Sequence, residues 1–212
     1  MNAELAKAHA PGVAIPPRVL DRAEQAVVVI AWSLLAWRVF HSPNGYAPLV
    51  LLSETAVALF VLFRRPTEAI SLDLGDWLMA VTATAAPLLI VPGPNTLTAL
   101  APLGVTLVAL GNAWQFGAKL ILRRSFGIAP ANRGVKVSGP YRLMRHPMYA
   151  GYLLVHIGVL TLMFSPTNLV IYAIGWWAQI RRMIAEERLL GEDPSYREYM
   201  GQVRWRLVPG VF

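Results

Sequence analysis

The chain has no cysteine among its 212 residues. Disulfides, thiolate metal ligands and a cysteine nucleophile are therefore excluded together. Histidine is nearly as scarce. The four present, His9, His41, His146 and His156, lack the spacing of a metal-ligand set. Charge is also thin, at 15% of residues against 56% hydrophobic, with a mean hydropathy of +0.48. Soluble domains are seldom this apolar. No G-x-G-x-x-G turn follows a strand and opens a helix, so a Rossmann-type nucleotide site is not offered. No segment alternates strictly with period two, which argues against a barrel.

What the chain does have is six apolar runs, roughly Ala23–Phe40, Tyr46–Phe63, Asp76–Pro92, Leu97–Leu122, Met148–Phe164 and Asn168–Ile184. Each is close to the ~20 residues that carry a helix across ~30 Å of hydrocarbon. They predict an all-α integral membrane bundle of about six transmembrane helices. Residues 1–22 hold Pro11, Pro16 and Pro17 and lack the apolar core of a secretory leader, so they read as a cytoplasmic or interfacial segment. Residues 23–122 read as a four-helix transmembrane region. Residues 123–212 read as a second region, with a transmembrane hairpin and a polar C-terminal tail.

The few charges are unevenly placed. Before Lys119 there are 6 Lys/Arg against 7 Asp/Glu, and from Lys119 onward 13 against 5. The basic residues alternate between successive connections: present at the N-terminus, absent from "HSPNGY", present at Arg64–Arg65, absent from "GPNT", dense over Lys119–Arg145, absent from "SPT", and present from Arg181. The positive-inside rule then puts both termini and the Lys119–Arg145 connection in the cytoplasm. Topology accounts for the basic residues, so nucleic acid is disfavoured as a partner and membrane lipid is favoured.

The last two runs are separated by only a few residues, so they must form an antiparallel hairpin. That brings two charged clusters to one end. The first is "GPYRLMRHPMYAGY", Gly139–Tyr152, where Pro147 suits a first helical turn. Free backbone N–H groups there, with Arg145 and His146 alongside, make a seat for an anion. Tyr141 and Tyr149 add aromatic faces for a cation or a base. The second is "RRMIAEERLL", Arg181–Leu190, where Arg182 and Glu186 share a helix face at i and i+4 and Glu187 lies one position round. Glu186 can accept hydrogen bonds from an amine or sugar hydroxyls, and the Arg182 fork can hold an anion. The tail "DPSYREYMGQVRWRLVPGVF" reads as an interfacial segment able to lid that end, with Tyr196 and Tyr199 as interfacial anchors. Within the spans, Glu54 reads as a buried hydrogen-bonding group paired with Asn112 or Gln115, and His156 as a satisfied bundle histidine.

Taken together, "SGPYRLMRHPMYAGY", "EERLL" and "YREYMGQVRWRLVPG" resemble the isoprenylcysteine carboxyl methyltransferase family and, more broadly, its phospholipid N-methyltransferase relatives. The resemblance covers about Arg124–Phe212 and rests on the paired motifs G-P-Y-x-x-x-R-H-P-x-Y-x-G and E-E-x-x-L. It implies an integral membrane enzyme that takes S-adenosylmethionine from the cytosol. On that resemblance Tyr141, His146, Pro147, Met148 and Tyr149 contact the cofactor. Arg133, Gly134, Val135 and Lys136 line it, Glu186 and the adjoining Glu187 hold it, and Arg182 meets the acceptor's carboxylate. Arg182 and Glu186 are then the expected catalytic pair.

Methyl transfer is an in-line displacement from a sulfonium. A carboxylate acceptor asks mainly for alignment and water exclusion, which supply ~7–11 kcal/mol. An amine acceptor needs a base, for which Glu186 or Glu187 is the candidate. The acceptor is expected to be lipophilic or lipidated and to enter sideways from the bilayer. An O-methylated carboxylate is the leading expectation and a phospholipid or small-molecule amine the alternative. A nicotinamide-dependent (NADPH) membrane reductase on a related scaffold, or a non-catalytic membrane scaffold, would keep the same helices.

Overall fold

The computed structural model describes residues 17–63, 71, 73–94, 97–122 and 135–212. Seven helices follow in order: α1 (Pro17–Phe40), α2 (Ala47–Leu62), α3 (Leu74–Leu88), α4 (Ala101–Leu122), α5 (Pro147–Leu162), α6 (Pro166–Leu190) and α7 (Pro194–Gln202). Single 3-10 turns precede α4 and α5, and no strand occurs among the described residues. The six apolar runs thus become six helices, and the tail adds a seventh.

Local chemistry sets the starts. α5, α6 and α7 each begin on a proline, where the missing N–H costs nothing. The Ser165 hydroxyl accepts the Asn168 N–H at 3.1 Å ahead of α6, and the Asp193 carboxylate accepts the Ser195 N–H at 2.9 Å ahead of α7.

Polarity runs opposite to that of a soluble core. Ile30, Leu34, Leu110, Ile174 and Trp177 are exposed, while Ser53, Glu54, Asn112, Gln115 and Lys119 are buried. A bundle surrounded by lipid keeps its polar groups inside in this way. Two helical segments, Arg22–Phe40 and Thr98–Leu122, are long and apolar enough to cross a membrane, and α2 and α5 are shorter apolar helices.

Four of these buried polar groups satisfy one another. The Gln115 amide donates to Ser53 Oγ and to Asn112 Oδ1, both at 2.9 Å, and Lys119 Nζ donates to Gln115 Oε1 at 2.6 Å. This corrects the expectation for Glu54. Its expected partners Asn112 and Gln115 are taken, and its nearby counter-charge is Lys119. A single sequence gives no sign that Lys119, near the end of α4, turns inward.

The packing of α5 and α6 also departs from expectation. The Met163–Ser165 turn is tight, yet α5 packs mainly on α4 and α6 mainly on α3, with sparse contact between α5 and α6. Glycines explain the α4–α5 pairing. A Cβ at Gly111 would fall 2.7 Å from the Gly151 carbonyl oxygen, and one at Gly158 would fall 2.7 Å from that of Gly104. Glycines seven apart on both helices let the two backbones touch, as small residues do in membrane bundles. α6 approaches α3 where Gly175 meets Ala86, a Cβ there falling 2.8 Å away. Drawn to different partners, α5 and α6 diverge and leave a wedge between them.

The turn end of the wedge is pinned by amides. Asn168, fully buried, accepts the Val91 N–H at 3.0 Å and donates to the carbonyls of Val91 and Met163 at 3.1 and 2.9 Å. Asn44 donates to the Leu162 carbonyl at 3.3 Å.

Candidate active site

The opposite end of the wedge holds both sequence clusters. Its centre is Glu187, 7% exposed. Arg145 grips it with Nε on Oε1 at 2.7 Å and Nη2 on Oε2 at 3.2 Å. His146 Nε2 lies 3.0 Å from Oε1, and Arg206 Nε donates to Oε2 at 2.8 Å. Burial pushes the Glu187 pKa up. The hydrogen bond and charge of His146, with the bonds from Arg206 and Arg145, outweigh it and hold the carboxyl at about 2 rather than 4.5. The anion expected at the start of α5 is thus supplied by the chain itself.

The tail is bound to the same point by its backbone. Arg145 N–H donates to the Trp205 carbonyl at 2.9 Å and His146 N–H to that of Arg206 at 2.8 Å. These amides belong to the residues ahead of α5, which no helix pairs. Arg145 Nη1 also donates to the Val203 carbonyl at 3.1 Å. The Tyr199 hydroxyl donates to the Tyr141 carbonyl at 2.7 Å. Tyr196 and Tyr199 are each 4% exposed, which corrects their reading as interfacial anchors. They face inward because the tail folds back as a helix over the α5 start. Arg206 was not singled out from the sequence. The only signal for it was its place in the basic "VRWRL" of the tail motif.

One turn inward stand Tyr149, Glu186 and Arg182. The Tyr149 hydroxyl donates to Glu186 Oε2 at 3.0 Å. The Arg182 guanidinium lies 5.4 Å from the Tyr149 ring centroid, and its Nη1 is 3.5 Å from Thr84 Oγ1 on α3. Arg182 is 4% exposed, while Glu186 is only half-buried. Aromatic rings step down α5 from there, with His146 on Tyr149 at 5.4 Å, Tyr149 on Tyr152 at 5.9 Å and Tyr152 on His156 at 6.3 Å. His156 accepts the Trp176 Nε1–H at 3.1 Å and stacks on Tyr172 at 4.4 Å.

Below Arg182 the wedge holds a small cavity of about 30 Å³, open on one side. Glu54, Thr84, Tyr152, His156, Gln179 and Arg182 contribute its polar wall.

The remaining expected residues fall as follows. Tyr141 is buried, and burial, reinforced by the Glu186 charge, holds its phenol well above 10. Pro147 and Met148 are buried in the packing around it, and the Pro147 carbonyl accepts the Trp114 Nε1–H at 2.9 Å. Val135 is half-buried, Lys136 is exposed, and Arg133 and Gly134 lie outside the described residues.

Residues 96–192, which include α4, α5 and α6, match the isoprenylcysteine carboxyl methyltransferase (ICMT) family. Protein-S-isoprenylcysteine O-methyltransferase B of Arabidopsis thaliana is 23% identical over 168 residues, 77% of this chain and 80% of that relative. Protein-S-isoprenylcysteine O-methyltransferase A of the same plant is 25% identical over 178 residues, 80% of this chain and 88% of that relative. An apolar-faced helical bundle with these relatives is a membrane methyltransferase. The stretch that carries α4, α5 and α6 is thus similar to the ICMT family.

Proposed function

We propose that this protein transfers a methyl group from S-adenosylmethionine to the carboxylate of a lipophilic acceptor, with six helices crossing the membrane and the Glu187 end in the cytoplasm. The observation that carries the reading is the junction at Arg182. This buried cation stands between a cluster reachable from water and a cavity inside an apolar-faced bundle. A water-soluble acceptor would have no use for such a cavity.

The residues present fit the cofactor. Glu186 commits Oε2 to the Tyr149 hydroxyl and is half-buried, which leaves Oε1 to accept from an ammonium or ribose hydroxyls. Tyr141, His146 and Tyr149, each 6% exposed or less, pack behind it and hold it in place. When bound, S-adenosylmethionine supplies a methyl group on a sulfonium sulfur.

The protein's own part is alignment. Arg182 holds the acceptor carboxylate at the cavity mouth and turns one oxygen toward the Glu186 side. The Glu187 clamp fixes His146, Arg145 and the tail, so the cofactor side is rigid before the reactants meet. The carboxylate attacks without losing a proton, so no base is required. The apolar wall keeps water from competing. Alignment of this kind is worth ~7–11 kcal/mol. The relatives' names support a lipidated carboxylate among the possible acceptors.

Calorimetry on the detergent-purified protein tests the reading. Saturable binding of S-adenosylmethionine, with none of NADPH, is the expected result. Binding of NADPH alone would replace the methyltransferase reading with a reductase.

A further inference from the structure

The cavity is not lined as a hydrocarbon tail would require. The Tyr152 hydroxyl is buried with no hydrogen-bond partner among the described residues. Glu54 is 6% exposed and lines the same cavity, and no hydrogen bond among the described residues ends on its carboxylate. Bundles bury such groups at a cost of several kcal/mol unless something pairs with them. Glu54, Tyr152 and Tyr172 line the one cavity together. Lys119 Nζ, which donates to Gln115, lies 4.9 Å from the Tyr152 ring and is not part of the cavity lining, is the counter-charge of Glu54. A cationic ligand group would upset that balance, whereas a neutral donor would complete it.

We infer that the acceptor carries a second, uncharged hydrogen-bond donor, a hydroxyl, which donates to Glu54 and accepts the Tyr152 O–H about one to two helical turns (5–11 Å) deeper than the group held by Arg182. The inference rests on the methyltransferase reading above and adds a requirement to its acceptor: a lipid chain with a polar group partway along it. Glu54 lies outside the residues matched to the family and Tyr152 within them, so the preference joins α2 to the matched part of the chain.

The test compares two probes, hexadecanoic acid and 7-hydroxyhexadecanoic acid, bound to the full-length protein in detergent with S-adenosylmethionine present. Binding is followed by isothermal titration calorimetry. The hydroxylated acid should bind at least about tenfold more tightly, as one hydrogen bond to a charged acceptor implies. Glu54→Leu should abolish the preference, Glu54→Gln should keep part of it, and Tyr152→Phe should reduce it. Tyr152→Phe and the wild-type preference serve where Glu54→Leu does not fold.

Equal binding of the two acids by the wild type, no binding of either, or a preference that survives Glu54→Leu overturns the inference. Cofactor calorimetry on the same sample separates the two levels. Normal cofactor binding without a preference refutes the second donor alone, and absent cofactor binding refutes the methyltransferase reading as well.

Discussion

Neutralising Glu187 should loosen the tail while leaving the helices in place. In Glu187→Gln one carboxylate oxygen becomes an amide, and the side chains of Arg145 and His146, 8% and 6% exposed, lose their counter-charge. Two routes give the size of the effect. The fall in the Glu187 pKa from 4.5 to about 2 corresponds to about 3 kcal/mol. Removing one member of a buried ion pair costs about 3–5 kcal/mol. Taking about 3 kcal/mol, the two backbone bonds from Arg145 and His146 to Trp205 and Arg206 should open about 100-fold more often. Amide hydrogen exchange read by mass spectrometry on peptides containing Arg145 and His146 measures this directly. The pH dependence has a definite sign. The folded-state pKa lies below the ordinary value, so the stabilisation is complete above pH 4.5 and disappears as pH falls toward 2. Wild-type protection should drop across that window, and the variant should lack this drop. Unchanged protection in Glu187→Gln at pH 7 would refute the claim that this cluster holds the tail.

Glu186→Ala should weaken S-adenosylmethionine binding about 10- to 100-fold, with a smaller loss for Tyr149→Phe, both by calorimetry. Arg182→Ala should leave cofactor affinity within about threefold while reducing labelled methyl transfer to a lipid carboxylate at least about tenfold. Normal transfer would move the acceptor from a carboxylate to an amine. Gly151→Ala puts a Cβ 2.7 Å from Gln115 Cβ and 2.8 Å from Gly111 O, so it should lower thermal stability by about 1–3 kcal/mol. Gly117→Ala on α4, where nothing lies within 4 Å, should raise stability slightly.

The helices were legible because each apolar run is long and bounded by proline or polar turns, and those signals are local. The meeting of "RHPMY" with "EERLL" was legible too, because a three-residue turn leaves the chain no other course. The divergence of α5 from α6 was not. It depends on Gly104 and Gly111 finding Gly158 and Gly151 on another helix, and sequence spacing does not say which glycines face each other. The separate parts of Glu186 and Glu187 were also hidden. Adjacent on a helix, they differ by 100° in direction, and only the folded tail with Arg206 makes one a structural anchor and leaves the other half-exposed. The inward turn of Tyr196 and Tyr199 had the same cause, since a short amphipathic tail reads alike on a membrane surface and on a protein.

The wedge between α5 and α6 is held by different forces at its two ends. At the turn, Asn168 and Asn44 use neutral amides, which no change of pH in the biological range alters. At the mouth, Glu187 uses charge. Acid therefore releases the mouth of the wedge, at the level of Glu187, and leaves its turn end as it was.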